Sequence, residues 1–87
     1  LTKALALEWA RHNIRINAIA PGYVETDINR GLLQSETGKK IIQRIPQRRT
    51  GNLEDLDGPL LLLASDASAF MTGAIVPVDG GHLVSSL

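Results

Sequence analysis

Cysteine is absent from this 87-residue sequence, so it has neither a disulfide framework nor a thiolate zinc site. That lack is compatible with a reducing, cytoplasmic setting. An excess of one charge is missing too: nine Lys and Arg balance nine Asp and Glu. A general nucleic-acid binder would show a basic surplus, so no nucleic-acid partner is expected. No apolar run approaches the roughly 20 residues that span a bilayer, and no membrane partner is expected. Leu1 to Ala10 carries Lys3 and Glu8 inside its apolar run, unlike a secretory leader. Position 1 is not methionine, and we expect the native start to lie elsewhere. A chain of this length buries only about 60 to 65% of its unfolded surface and is marginal alone.

What is present begins with a run of strong helix formers, and Leu1 to His12 reads as a helix. Its apolar residues do not keep to one stripe: Leu1, Leu5 and Trp9 share a face, while Leu7 and Ala10 point elsewhere. Such a helix is buried on more than one side and expects walls from further chain or a partner subunit. Asn13 suits the left-handed position just past it. Ile14 to Ala20 follows as a strand of about seven residues. One or two short helices are expected between Asp27 and Ile45, the second from about Glu36 with Ser35 as its cap, and Pro46 disfavours further helix. Asn52 caps a further helix with Glu54 and Asp55 in its first turn. Leu56, Leu60, Leu61 and Leu63 should form its buried side, and Gly58-Pro59 predicts a kink or a late start. A-I-V-P-V is the second strand, before Asp79-Gly80-Gly81 and a tail from His82 to Leu87.

Two strands separated by a long helical crossover are parallel, and parallel strands belong to sheets covered on both faces. The fold class expected is α/β: the C-terminal edge of a Rossmann-type doubly wound parallel sheet. Residues 1–87 then form the C-terminal part of a single, incomplete domain whose N-terminal cofactor-binding half is absent.

Ligands of open α/β sheets bind beyond the carboxyl ends of the strands, where A-P-G-Y-V-E-T-D lies. Gly22 lets the backbone approach a ligand, Pro21 fixes the exit direction, Val24 offers an amide and Thr26 a hydroxyl. Such neutral groups suit an amide-bearing planar ligand. The spacing alone leaves a second reading open, in which Pro-Gly is a loop and Thr26 or Asp27 caps the next helix.

In order, the segments L-T-K-A-L-A-L-E-W-A, I-R-I-N-A-I-A-P-G-Y-V-E-T-D, I-P-Q-R-R-T-G, L-L-A-S-D-A-S-A-F-M-T-G and V-D-G-G resemble the C-terminal third of the short-chain dehydrogenase/reductase family. The resemblance implies an NAD- or NADP-dependent oxidoreductase that interconverts a small alcohol and ketone by hydride transfer. It implies that Pro21, Gly22, Tyr23, Val24 and Thr26 contact the nicotinamide, with the Val24 backbone and Thr26 hydroxyl on its carboxamide. Ile28, Leu32 and Leu33 fall on the family's substrate loop, where they are lid residues or ordinary core. The resemblance further implies a homotetramer, with the helix after Asn52 and the last strand pairing with their copies.

The family's Gly-rich dinucleotide turn is missing, and no helix follows Gly80-Gly81 to receive a pyrophosphate. Its catalytic serine and Tyr-x-x-x-Lys pair are missing as well. The sole tyrosine, Tyr23, meets Asp27 four residues on, and Lys3 does not match the catalytic lysine. No catalytic residue is therefore assigned, and residues 1–87 alone are expected to be inactive. No acidic or histidine cluster marks a metal. Lys39, Lys40, Arg44, Arg48 and Arg49 read as a phosphate contact or, more simply, as a solvated face with a structural Arg49. The alternative to the enzyme reading is a non-catalytic oligomerisation or binding module derived from that fold.

Overall fold

Strong helix formers from Thr2 onward build α1 (Thr2–Trp9) in a computed structural model that describes residues 1–84. A 3-10 turn, Ala10–His12, prolongs it until Asn13, whose φ of 60° ends it in the left-handed region. The strands are β1 (Ala18–Pro21) and β2 (Ile75–Val78), paired in parallel from Ala18 opposite Ile75 to Pro21 opposite Val78. Their crossover holds α2 (Arg30–Gln34), α3 (Glu36–Arg44) and α4 (Asp57–Ala64). The molecule is thus an α/β unit around a two-stranded parallel sheet among the described residues.

β1 is shorter than the predicted seven residues and reaches one position further, into Pro21. Side chains and one backbone bond, from the Gly73 amide to the Ile16 carbonyl at 2.7 Å, hold the segment before it. Arg15 donates from Nη1 to the carbonyl and Oγ of Ser68, both at 2.7 Å, and from Nη2 to the Ser65 carbonyl at 3.2 Å. The Ile16 amide donates to Thr72 Oγ1 at 3.1 Å. Asn17 donates to the Met71 carbonyl and accepts from the Ala74 amide. These contacts dock the chain beside β2 without strand geometry.

Ser35 separates α2 from α3 as the spacing predicts, its Oγ accepting from the Gly38 amide at 3.2 Å. Gly38 is buried where the two helices meet, and a Cβ there would strike the Leu32 and Leu33 carbonyls. Ile45, extended at ψ 122° before Pro46, ends α3. At Asn52 the chain turns again: Asp55 Oδ2 accepts from the Asn52 amide at 2.7 Å, and the Asp55 amide donates to the Asn52 carbonyl at 2.9 Å. A 3-10 turn, Leu53–Leu56, delays α4, so Pro59 falls in the first α-helical turn, where its missing N–H removes no bond.

The expected buried side of α4 is corrected. Leu56 and Leu63 are half-buried, but Leu60 and Leu61 are 57% and 68% exposed because no second layer among the described residues covers them. Among the described residues the buried apolar side chains are Ala6, Leu33 and Ile45. The accessible surface, 6425 Å², exceeds the roughly 5,000 Å² of a compact monomer of this mass.

Candidate functional site

The two strands end side by side, and the Gly22 amide continues their pairing by donating to the Val78 carbonyl at 3.0 Å. A Cβ on Gly22 would lie 2.7 Å from Asp79 Cβ and 2.9 Å from its Cα. The close approach that requires glycine is therefore met inside the chain, between the two strand ends.

Beyond Gly22 the backbone is braced from two sides. Val24 bridges Gly51 in parallel: the Glu25 amide donates to the Gly51 carbonyl at 2.9 Å, and the Gly51 amide to the Tyr23 carbonyl at 2.8 Å. Asn29 folds back, its Nδ2 donating to the Val24 carbonyl at 2.8 Å and its Oδ1 accepting from the Thr26 amide at 2.7 Å. Among the described residues this leaves the Val24 amide and the Thr26 hydroxyl without an intramolecular partner. The capping alternative fails. α2 has no side-chain cap, and Asp27 instead pairs with Arg30 at 3.0 Å.

Tyr23 stands beside His82, their ring centroids 5.6 Å apart and their planes inclined by 31°. A groove of about 410 Å³ is lined by Pro21, Gly22, Tyr23, Pro77, His82 and Leu83. The Asp79 carboxylate accepts from the Gly81 and Leu83 amides, each at 3.0 Å, and so sets the turn that delivers His82. Gly80 and Gly81 follow that turn at φ 64° and 93°, which a side chain rarely adopts.

The three substrate-loop candidates separate. Ile28 is 98% exposed and Leu32 56%, whereas Leu33 is buried in the core. The basic residues also part company. Lys39 pairs with Glu36 at 3.4 Å and Arg49 with Asp55 at 3.0 Å, while Lys40, Arg44 and Arg48 lie on the surface. The Arg49 hydrogen bond, followed by that from the Asn52 amide, holds the Asp55 carboxyl below the usual carboxylate range. No metal-holding cluster occurs among the described residues, and none of their helices is long and apolar enough to cross a membrane.

Two participants escape sequence reasoning, Asn29 and Gly51, while His82 belongs to the expected tail, with an approach to a substrate pocket as its lesser reading. Asn29 left a signal, since an Asn three residues past Thr26 can close a side-chain turn on the backbone. Gly51 left none, since its partner Val24 lies 27 positions away, and the pairing of His82 with Tyr23, 59 positions apart, is equally unmarked.

Comparison with known proteins adds to this geometry. A family model described as enoyl-(acyl carrier protein) reductase matches residues 1–82. The chain is 50% identical over 84 residues to 2-dehydro-3-deoxy-D-gluconate 5-dehydrogenase of Pseudoalteromonas atlantica, covering 95% of this chain and 33% of that protein. The protein of the same name from Escherichia coli is 46% identical, with the same coverage. A solved structure from Agrobacterium tumefaciens with bound NADP, provisionally named a 2-deoxy-D-gluconate 3-dehydrogenase, superimposes with a TM-score of 0.90. Its identity is 46%, over 95% of this chain and 34% of that one. A short-chain type dehydrogenase/reductase from Mycobacterium ulcerans gives a TM-score of 0.91 at 32% identity, over 97% of this chain and 31% of its own. The chain spans about a third of the length of the curated relatives it matches.

Proposed function

The chain belongs to the short-chain dehydrogenase/reductase family, and on that premise we propose that it is part of an NAD- or NADP-dependent oxidoreductase interconverting a small alcohol and ketone. Residues 1–87 form the C-terminal edge of the Rossmann-type sheet, with β2 as the outer strand. Pro77 inside β2 supports this, because proline lacks a ladder donor and sheets confine it to edges. The chain's share is the nicotinamide-contacting segment, the substrate loop and subunit contacts in a cytoplasmic homotetramer.

One observation carries the reading. The Val24 amide and the Thr26 hydroxyl stand unspent at the carboxyl end of β1, on backbone that Asn29 and Gly51 hold rigid. A carboxamide needs one donor for its oxygen and one acceptor for its NH₂ group, and these two groups meet that need. When bound, the nicotinamide supplies or accepts the hydride. Val24 and Thr26 fix which face of its ring meets the substrate, Pro21 and Gly22 border the ring, and Tyr23 lines the space beside it. That orientation, fixed before reaction, lowers the entropic part of the barrier. Ile28 and Leu32 are the loop residues free to meet substrate, with Leu33 anchoring them inward. The proton-transferring groups lie outside residues 1–87.

In the intact protein, Thr26→Val should weaken NAD(P)H binding about tenfold, the order of one lost hydrogen bond, and Thr26→Ser should restore it. Nicotinamide fluorescence titration reads both. Unchanged affinity in Thr26→Val, or no NAD(P)-dependent turnover of any alcohol or ketone by the wild type, overturns the reading.

A further inference from the structure

We propose that His82 and Tyr23 form the outer wall of the substrate site and select ketones or alcohols that carry a hydroxyl beside the reacting carbon. The proposal rests on the oxidoreductase reading above and assigns a substrate class to the same site.

The first argument is placement. The groove lies past the carboxyl ends of both strands, where ligands of open α/β sheets bind, and His82 and Tyr23 line it side by side. The second is construction. His82 is not a loose end but the residue between two amides, Gly81 and Leu83, that the Asp79 carboxylate clamps at 3.0 Å. The glycines before it are held equally firmly. A Cβ on Gly80 would approach Ile45 at 3.0 Å, and one on Gly81 would approach Pro46 at 2.9 Å. The tail is therefore aimed, and its aim brings an imidazole to 5.6 Å from the Tyr23 ring.

The third argument is chemical. Pro21, Pro77 and Leu83 give the groove apolar walls, against which only a few polar groups can discriminate. Among the described residues neither the Tyr23 hydroxyl nor a His82 ring nitrogen has an intramolecular hydrogen bond. Asp79, the remaining charged group there, has both carboxylate oxygens engaged by backbone amides. The groove thus offers a phenol and an imidazole and, among the described residues that line it, no lysine or arginine. That inventory matches hydroxyl groups, not a phosphate or a long acyl chain. A site built to hydrogen-bond a substrate hydroxyl rejects the analogue lacking it far more strongly than an apolar site rejects an added hydroxyl.

The test uses the intact protein, saturating NADPH and two ketones of one carbon skeleton, erythrulose and 2-butanone. Wild type should prefer erythrulose. His82→Phe, which keeps a ring against Tyr23, should lower kcat/KM for erythrulose about tenfold and change that for 2-butanone less than about twofold. His82→Gln should recover most of the loss, and NADPH affinity from nicotinamide fluorescence should stay within about twofold in both variants. Equal losses on the two ketones, a parallel loss of NADPH affinity, or no loss on erythrulose overturns the assignment of His82 and leaves the oxidoreductase reading standing. A wild type that favours 2-butanone does the same. A wild type that reduces neither ketone with NADPH or NADH overturns the assignment, and the Thr26 titration then decides the wider reading separately.

Discussion

Asp55 is the residue on which the turn before α4 depends. Arg49 Nη1 donates to its carboxylate at 3.0 Å and the Asn52 amide at 2.7 Å. Those bonds, Arg49 first, lower its pKa from the ordinary 3.8, and the same pairing raises that of Arg49. Because the folded state releases the proton more readily, the unfolded chain binds more protons as pH falls. The stabilisation is therefore complete above the ordinary carboxylate value and is lost as pH drops through the lower folded one. Both groups are partly exposed, so salt weakens the pair. In the intact protein, the gap in Tm between wild type and Asp55→Asn should be constant from about pH 5 to 7 and close below about pH 4. A gap that persists or widens in acid removes Asp55 from this role. The place of Asp55 in the first turn, the Ser35 cap and the left-handed Asn13 are all readable in sequence, because each is local and follows from one residue's chemistry, whereas the bond from Arg49 to Asp55 is not. Arg15 is the opposite case. Placed inside the expected strand from Ile14 to Ala20, it reaches Ser68 across 53 positions, and no local pattern encodes that reach.

Elements were legible by type and less so by environment. Periodicity and caps place the helices from Leu1, after Ser35 and after Asn52, because backbone hydrogen bonding and terminal chemistry act within a few residues. Which face of α4 is buried depends on what lies opposite, and among the described residues nothing covers Leu60 and Leu61. Leu53 and Ile75 are likewise open, at 62% and 50%. Apolar exposure on this scale marks a surface that another body covers, and by the proposed assembly that body is a second subunit paired through α4 and β2. Replacing Leu60 and Leu61 together by Glu in the intact protein should reduce the assembly mass seen by light scattering, because two carboxylates would be buried without partners. The far-UV circular dichroism should hold, since both side chains already face solvent in the single chain. An unchanged mass would remove α4 from the interface.

At the scale of the whole molecule, the 87 residues do not enclose themselves. Their Cα radius of gyration is 15.7 Å, against about 12 Å for a compact domain of this length. Three buried apolar side chains cannot offset the backbone entropy of the ordered chain, a cost of about 1 to 2 kcal/mol per residue. The composition already pointed this way, since a helix apolar on several faces and a two-stranded parallel sheet both call for neighbours. The chemistry has the same shape. The Val24 amide, the Thr26 hydroxyl and the His82–Tyr23 wall can hold and orient, but the sole tyrosine has Asp27, not a lysine, four residues on. Residues 1–87 expressed alone should therefore unfold gradually in urea, bind an apolar dye, and oxidise no NADPH with erythrulose or 2-butanone. The same residues within the intact protein should take part in one steep transition and support turnover. A steep transition together with turnover from residues 1–87 alone would mean that the acid–base groups lie within this segment. Tyr23, its only phenol, would then have to be the proton donor, and Tyr23→Phe in that segment would abolish the activity.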